Sequence, residues 1–186
     1  ITKSEMFSSS KLLNSIEEKN VKLEKYLIEL KSNNFLKKII ETIDNLNKKE
    51  IILIGETIID KYNFCEILGK SGKEPHLVLK NIHEEYYLGG VIAIAKNLAP
   101  LCKSVKVISV LGEKKEYLNF IRKKLPNNIK LDLIYKKNSS TICKTRFVDE
   151  TNKYKILGVY DVDDKNLSIK EEKILRKKII QNINKN

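Results

Sequence analysis

Apolar positions in the first 46 residues recur every three to four places: Leu12, Leu13, Ile16, Leu23, Leu27 and Leu30. After a polar break at 32–34 come Phe35, Ile39, Ile40, Ile43 and Leu46. This spacing predicts two amphipathic helices, over about 11–31 and 35–46. The pattern changes at residue 50. The run EIILIGETIID is continuous, β-branched and closed by Gly55, which predicts a short strand buried on both faces of a parallel sheet. Extended, turn-punctuated segments follow at about 62–68 and 76–88, then a helix at about 91–101 and a strand, SVKVISVLG, ending at Gly112. A helix at about 114–125 stops before Pro126, and IKLDLIY reads as another strand. Strands alternating with helices predict a doubly wound α/β unit. The stretch TICKTRFVDETNKYKILGVYD interrupts that alternation with two β-rich arms around 149–153, a predicted hairpin. A last helix, over about 168–180, opens on Ser168 and Glu171 in the capping-box pattern.

Composition narrows the classes. With 186 residues and 41% hydrophobic content the chain can bury the core of one domain or slightly more. Its formal net charge of +12 raises the question of a nucleic-acid partner. The lysines, however, are spread through almost every segment and mixed with Asp and Glu, so a solvated surface and no nucleic-acid partner are expected; steep salt dependence of RNA binding would argue otherwise. Cys65, Cys102 and Cys143 are far apart and lack CxxC spacing, which favours neither a disulfide framework nor a zinc site and fits a reducing cytoplasm. No apolar run approaches the length of a membrane span, so no membrane partner is expected. A start at Ile1 suggests a fragment.

Three motifs fail on inspection. GKSGK at 69–73 lacks the earlier glycine of a phosphate-binding loop, since position 64 is Phe. DVDDKNLSIKEE places Asp161, Asp163 and Glu172 at calcium-loop offsets but has Asn166 where glycine is required. HEEYY at 83–87 has Tyr87 in place of the second zinc-binding histidine. Two features remain. Gly89 and Gly90 precede a helix, where free amides can meet an oxygen-rich ligand, or where a turn simply needs positive φ. Asp60 is placed just beyond the end of a buried strand, where ligands of open α/β sheets bind and a carboxylate can accept hydrogen bonds from sugar hydroxyls.

In combination the segments say more. ILIGETIIDKY, GKEPHLVLK, YYLGGVIAIAKNLAPLCKSVKVISVLG and TICKTRFVDETNKYKILGVYD occur in the order and spacing of the amino-terminal half of the ribokinase-like (PfkB) carbohydrate kinases. Over about 48–182 the chain most resembles the heptose-phosphate kinase domain of bifunctional ADP-heptose synthesis proteins. The resemblance implies an incomplete doubly wound α/β sheet with a small β-sheet lid, built from 62–88 and 141–160, over a sugar or sugar-phosphate substrate. It implies sugar contacts by Asp60, Gly89 and Gly90. Lys144 and Arg146 match the family's TKxR pattern; two cations at alternate strand positions share a face and suit a phosphorylated sugar, although they also read as ordinary strand solubility. Ala93 stands where the family usually has Asn, which leaves the substrate's identity open.

Residues 7–14, FSSSKLLN, resemble the closing motif of cytidylyltransferase-like nucleotidyltransferases. The expected organisation is therefore an upstream transferase tail over 1–14, a helical connector over 15–47 and a kinase half over 48–186. The family uses ATP with Mg2+, and its catalytic base lies on a glycine-rich segment ending in Asp. No glycine here is followed by Asp, so no catalytic residue is expected in this stretch and the fragment alone should be inactive. A homodimer through the lid fits the family. A noncatalytic sugar-binding or dimerisation module is the alternative.

Overall fold

The computed structural model describes residues 9–32 and 34–184. Residues 1–8, most of the expected transferase tail, lie outside the described residues. The chain divides into two compact units, one up to Leu46 and one from Asn47. The first consists of α1 (Ser9–Ser32) and α2 (Phe35–Leu46), separated by a break at which Asn34 takes a positive φ of 51°.

The second unit runs β1 (Glu50–Lys70), β2 (Leu77–Gly89), α3 (Gly90–Leu98), a 3-10 turn (Ala99–Leu101), β3 (Ser104–Gly112), α4 (Leu118–Lys123), β4 (Ile129–Lys136), β5 (Ile142–Asp149), β6 (Lys155–Asp161) and α5 (Ile169–Ile183). Six strands are joined through β1. Residues 50–56 of β1 pair in parallel with β3, which pairs in parallel with β4. From Ile58 onward β1 leaves that layer and is flanked by antiparallel β2 and parallel β5, with β6 antiparallel on the far side of β5. The architecture is the expected incomplete α/β sheet carrying a β lid, preceded by helices.

Two expectations need correction. The strand beginning at residue 50 does not close at Gly55 but runs on to Lys70. Nor is its first part buried on both faces as expected: Ile51, Ile52 and Leu53 are half-buried and Ile54, Gly55 and Glu56 exposed, and the buried positions, Thr57, Ile59, Asn63 and Cys65, fall at alternate places further on, as in a sheet covered on one side. Thr57, at the changeover, is buried and hydrogen-bonds through its hydroxyl to the Ser109 hydroxyl of β3 at 2.7 Å. The helix expected at 114–125 covers only Leu118–Lys123, because Lys115 turns back with φ 56° and its N–H bonds to the Gly112 carbonyl.

The core lies between α3 and the sheet. Val91, Ile92, Ala95 and Ala99 pack on Ile59, Val105, Val107 and Leu111, joined by Ile121, Ile129 and Cys143. All three cysteines are buried free thiols. Against β3 and β4, α5 makes polar contacts: Lys178 and Asn182 both bond to the Asp132 carboxylate, and Lys106 reaches Asn182 at 2.6 Å.

The predicted capping box is formed. The Ser168 hydroxyl accepts from the Glu171 N–H, and the Glu171 carboxylate accepts from the Ser168 N–H at 2.7 Å and from the Lys137 N–H at 2.7 Å. The Ser168 hydroxyl also donates to that carboxylate at 2.6 Å, and this bond first, followed by those from the two N–H groups, holds the Glu171 carboxyl below its ordinary value of 4.5. A depressed folded-state value means stability that is complete above the unfolded carboxyl's range and is lost as pH falls through the folded value. Glu171→Ala is therefore expected to cost about 1–2 kcal/mol at pH 7. Its melting-temperature deficit against the parent, followed by circular dichroism, should shrink below pH 4; a deficit constant with pH would dissociate the cap from the carboxylate.

Candidate functional site

Strand alternation sends every second side chain of the lid to the same face. Asp60, Tyr62 and Phe64 of β1 stand beside Glu85 and Tyr87 of β2, with Lys144 and Arg146 of β5 on the other side and Tyr160 of β6 beyond. The register opposes Asp60 to Tyr87 and to Lys144, and Tyr62 to Glu85 and to Arg146. Asp60, Tyr62, Phe64, Glu85 and Tyr87 line a hollow of about 260 Å³. That is slightly below the ~300 Å³ at which small-molecule sites begin.

Asp60 is not beyond the end of β1, as expected, but inside it, two residues past the point where the strand enters the lid. Its carboxylate is fixed from two directions. Oδ1 accepts from the Arg146 guanidinium at 2.5 Å, both side chains being largely buried. Oδ2 lies against Gly89, where a Cβ would come within 2.4 Å of it. Arg146 is in turn placed over the Tyr62 ring at 5.4 Å and the Tyr160 ring at 5.8 Å, distances suited to cation–π attraction. The Asp60 bond, ahead of every other influence, raises the guanidinium's already high pKa and keeps it charged. Lys144 faces the same way, its ammonium 5.7 Å from the Tyr160 ring centre.

The two glycines therefore do different things. Gly89 leaves room for the carboxylate. Gly90 adopts φ 56° and sits where a Cβ would approach the Glu56 carbonyl to 2.3 Å, so it is the turn residue between β2 and α3 and does not line the hollow. Gly90→Ala must pay for both the left-handed backbone and that contact, on the order of 3 kcal/mol. The expected result is a melting temperature about 10 °C lower, and a loss under 2 °C would show that the turn relaxes. No side chain caps the start of α3, and Ala93 is half-buried in its first turn.

The structure brings Asp60, Gly89 and Arg146 into one cluster with Lys144 alongside, and leaves Gly90 in a supporting position. The aromatic frame was missed. Tyr62 meets Tyr87 edge-on at 5.7 Å, and Phe64 stacks on His83 at 4.5 Å. Tyr87 donates to Glu85, which pushes the phenol pKa upward. The alternation of Tyr62 with Phe64 carried a signal, but only the register with β2 shows that these rings meet.

A second hollow, of about 500 Å³, opens at the carboxyl ends of the parallel strands, between Glu56, Ser109, Lys136, the 139–142 loop and residues 162–167. The Lys136 ammonium closes one side of it, bonded to the Asp163 carboxylate at 3.0 Å and the Asp163 carbonyl at 3.1 Å. This holds the Asp163 carboxyl well below its usual range.

No family model matches the chain. Among curated proteins it is 32% identical over 142 residues to the bifunctional protein HldE of Aliarcobacter butzleri, covering 75% of this chain and 28% of that protein. It is 28% identical over 117 residues to HldE of Campylobacter jejuni, covering 63% and 24%. Against the D-beta-D-heptose 7-phosphate kinase of Bordetella bronchiseptica the identity is 25% over 103 residues, covering 55% and 33%. The chain thus spans about a quarter to a third of the length of these relatives. In fold it resembles a candidate 1-phosphofructokinase from Thermotoga maritima, with TM-score 0.54 and 14% identity, covering 74% of this chain and 42% of that one. A candidate sugar kinase from Clostridium perfringens gives TM-score 0.52 and 17% identity, covering 70% and 41%. Parallel strands leading into a β lid give the chain the fold of the ribokinase-like (PfkB) carbohydrate kinases, and in sequence it is similar to part of HldE and of a heptose 7-phosphate kinase.

Proposed function

We propose that this chain is the sugar-binding part of a carbohydrate kinase that transfers the γ-phosphate of ATP to a hydroxyl of a heptose or similar sugar phosphate. On this reading it belongs to a bifunctional kinase and nucleotidyltransferase of activated-sugar synthesis, working in the cytoplasm. The observation that carries the reading is the Asp60 carboxylate, held by Arg146 and Gly89 at the floor of an aromatic hollow. A fixed carboxylate accepts hydrogen bonds from hydroxyls without reorganising, and flanking rings cover the apolar face of a sugar. Lys144 supplies a cation for a substrate phosphate. Kinship with HldE and the heptose 7-phosphate kinase supports the substrate class.

Mg2+–ATP supplies the phosphoryl group and neutralises its charge when bound. Among the described residues no three His, Cys, Asp or Glu side chains converge to hold a metal ion, so no step is assigned to one here. What this chain's residues do is bind and orient the sugar. Several cations are engaged by acids, as in Lys61–Glu84, Lys103–Glu50 and Arg176–Glu172, which supports a mixed surface rather than a nucleic-acid stripe. Among the described residues no helix is long and apolar enough to cross a membrane.

The test is a pair of assays with Mg2+–ATP and D-β-D-heptose 7-phosphate. The natural protein extended beyond Asn186 is expected to phosphorylate the sugar, and the 186-residue chain alone to give no turnover. Turnover by the short chain would place the catalytic base within it and overturn this division of labour; no turnover by either would remove the substrate class.

A further inference from the structure

The hollow holds a second carboxylate, which the proposed function leaves unused. On β2, Glu84 and Glu85 stand on opposite faces of the lid, and each accepts from the tyrosine two places on, Glu84 from Tyr86 at 2.8 Å and Glu85 from Tyr87. Their charges are met differently. Glu84, turned from the hollow, is paired with the Lys61 ammonium at 2.9 Å. Glu85 lines the hollow, where Arg146 is taken up by Asp60, and among the described residues its only ion-pair partner is His83, with Nε2 3.6 Å from Oε1. The hollow thus presents one carboxylate neutralised by a guanidinium and another held by a phenol and an imidazole.

We propose that Glu85 is a second sugar-binding carboxylate, accepting from a hydroxyl on the side of the sugar remote from Asp60, and that Tyr87 is the positioning residue that aims it. The inference rests on the reading of the hollow as a sugar site. Register supplies the geometry. Asp60 is opposite Tyr87 and Tyr62 opposite Glu85, so the two acids are diagonal neighbours across β1 and β2, about 7–8 Å apart at the backbone. The Tyr62 and Tyr87 rings, which meet edge-on at 5.7 Å, occupy the other diagonal. A sugar lying on that aromatic contact can give one hydroxyl to each acid, and a ligand held at two separated points is oriented as well as bound. An ionised carboxylate has about four lone-pair sites, of which the Tyr87 phenol uses one. That bond fixes the Glu85 carboxylate before the sugar arrives, so accepting a hydroxyl needs little reorganisation.

Calorimetric binding of D-β-D-heptose 7-phosphate and a set of its monodeoxy analogues to the 186-residue chain tests this. Glu85→Ala is expected to weaken the complete sugar by about ten- to a hundredfold. It should leave unchanged the affinity for one analogue, the one lacking the hydroxyl that Glu85 receives. Asp60→Ala should weaken that same analogue as it weakens the complete sugar. Glu85→Gln, which keeps the shape and one acceptor oxygen, should fall between Glu85→Ala and the parent. Tyr87→Phe should weaken the complete sugar severalfold and spare the same analogue as Glu85→Ala does, a selectivity that general disturbance of the strand would not produce. Losses in Glu85→Ala that are equal on every analogue, or absent, overturn the proposal while leaving sugar binding in place. So does an analogue spared by Asp60→Ala and Glu85→Ala alike, which would mean one subsite instead of two. A parent chain that binds none of these sugars removes the reading of the hollow itself, and this inference with it.

Discussion

Under the proposed function, Asp60→Ala in the longer protein is expected to lower kcat/KM for the sugar on the order of a thousandfold while leaving the fold intact. Two charge-assisted hydrogen bonds from sugar hydroxyls, at about 1.5–3 kcal/mol each, account for that magnitude. Truncation also leaves the largely buried Arg146 guanidinium without its carboxylate, which adds to the loss. The fold should tolerate the change because Asp60 projects into the hollow, while the neighbouring Ile59, fully buried, anchors the strand to the core. The measurement is steady-state kinetics in sugar and in ATP, with a thermal melt as control. An unchanged rate with an unchanged melt would remove Asp60 from the site. A KM for ATP that moves as much as the KM for sugar would argue that the lid, not the sugar contact, was damaged.

Arg146→Met and Lys144→Met are expected to separate into two kinds of effect. As sequence positions they are alike, two cations on one strand face. In the structure Arg146 is already engaged by Asp60 and flanked by Tyr62 and Tyr160, whereas Lys144 has its ammonium over the Tyr160 ring. Under the proposed function Arg146 acts by positioning Asp60, and Arg146→Met should reduce kcat/KM on the order of a hundredfold for phosphorylated and unphosphorylated sugars equally, the cost of leaving a partly buried carboxylate without its partner. Lys144→Met should weaken only the phosphorylated sugar, by about tenfold. Kinetics with a sugar and its phosphate side by side decide the matter. A loss confined to the phosphorylated sugar in Arg146→Met would make that residue a phosphate ligand.

What the sequence made legible follows from the range of each interaction. The strand at 104–112 and the capping box at 168–171 rest on local periodicity and on a bond spanning three residues, and both were read correctly. The break before Pro126 was also local. The helix at 114–125 was overestimated because Tyr117, Leu118, Phe120 and Ile121 have helical spacing while the left-handed Lys115 ends that geometry upstream. The continuation of β1 was missed because Gly55, Glu56 and Thr57 look like a strand's end; they are the point at which its neighbours are exchanged. The pairing of Asp60 with Arg146 joins residues 86 apart and depends on the parallel register of β1 with β5, which no local pattern encodes. Resemblance pointed to both residues but not to their contact.

The single 21-residue strand that serves both core and lid also has a mechanical meaning. Extended, it is about 70 Å long, and no loop interrupts it where the lid begins. A cover joined by a flexible linker can swing open at little cost. One mounted on a continuous strand has no linker to act as its hinge, so displacing it requires bending the strand itself, beside the Thr57–Ser109 hydrogen bond.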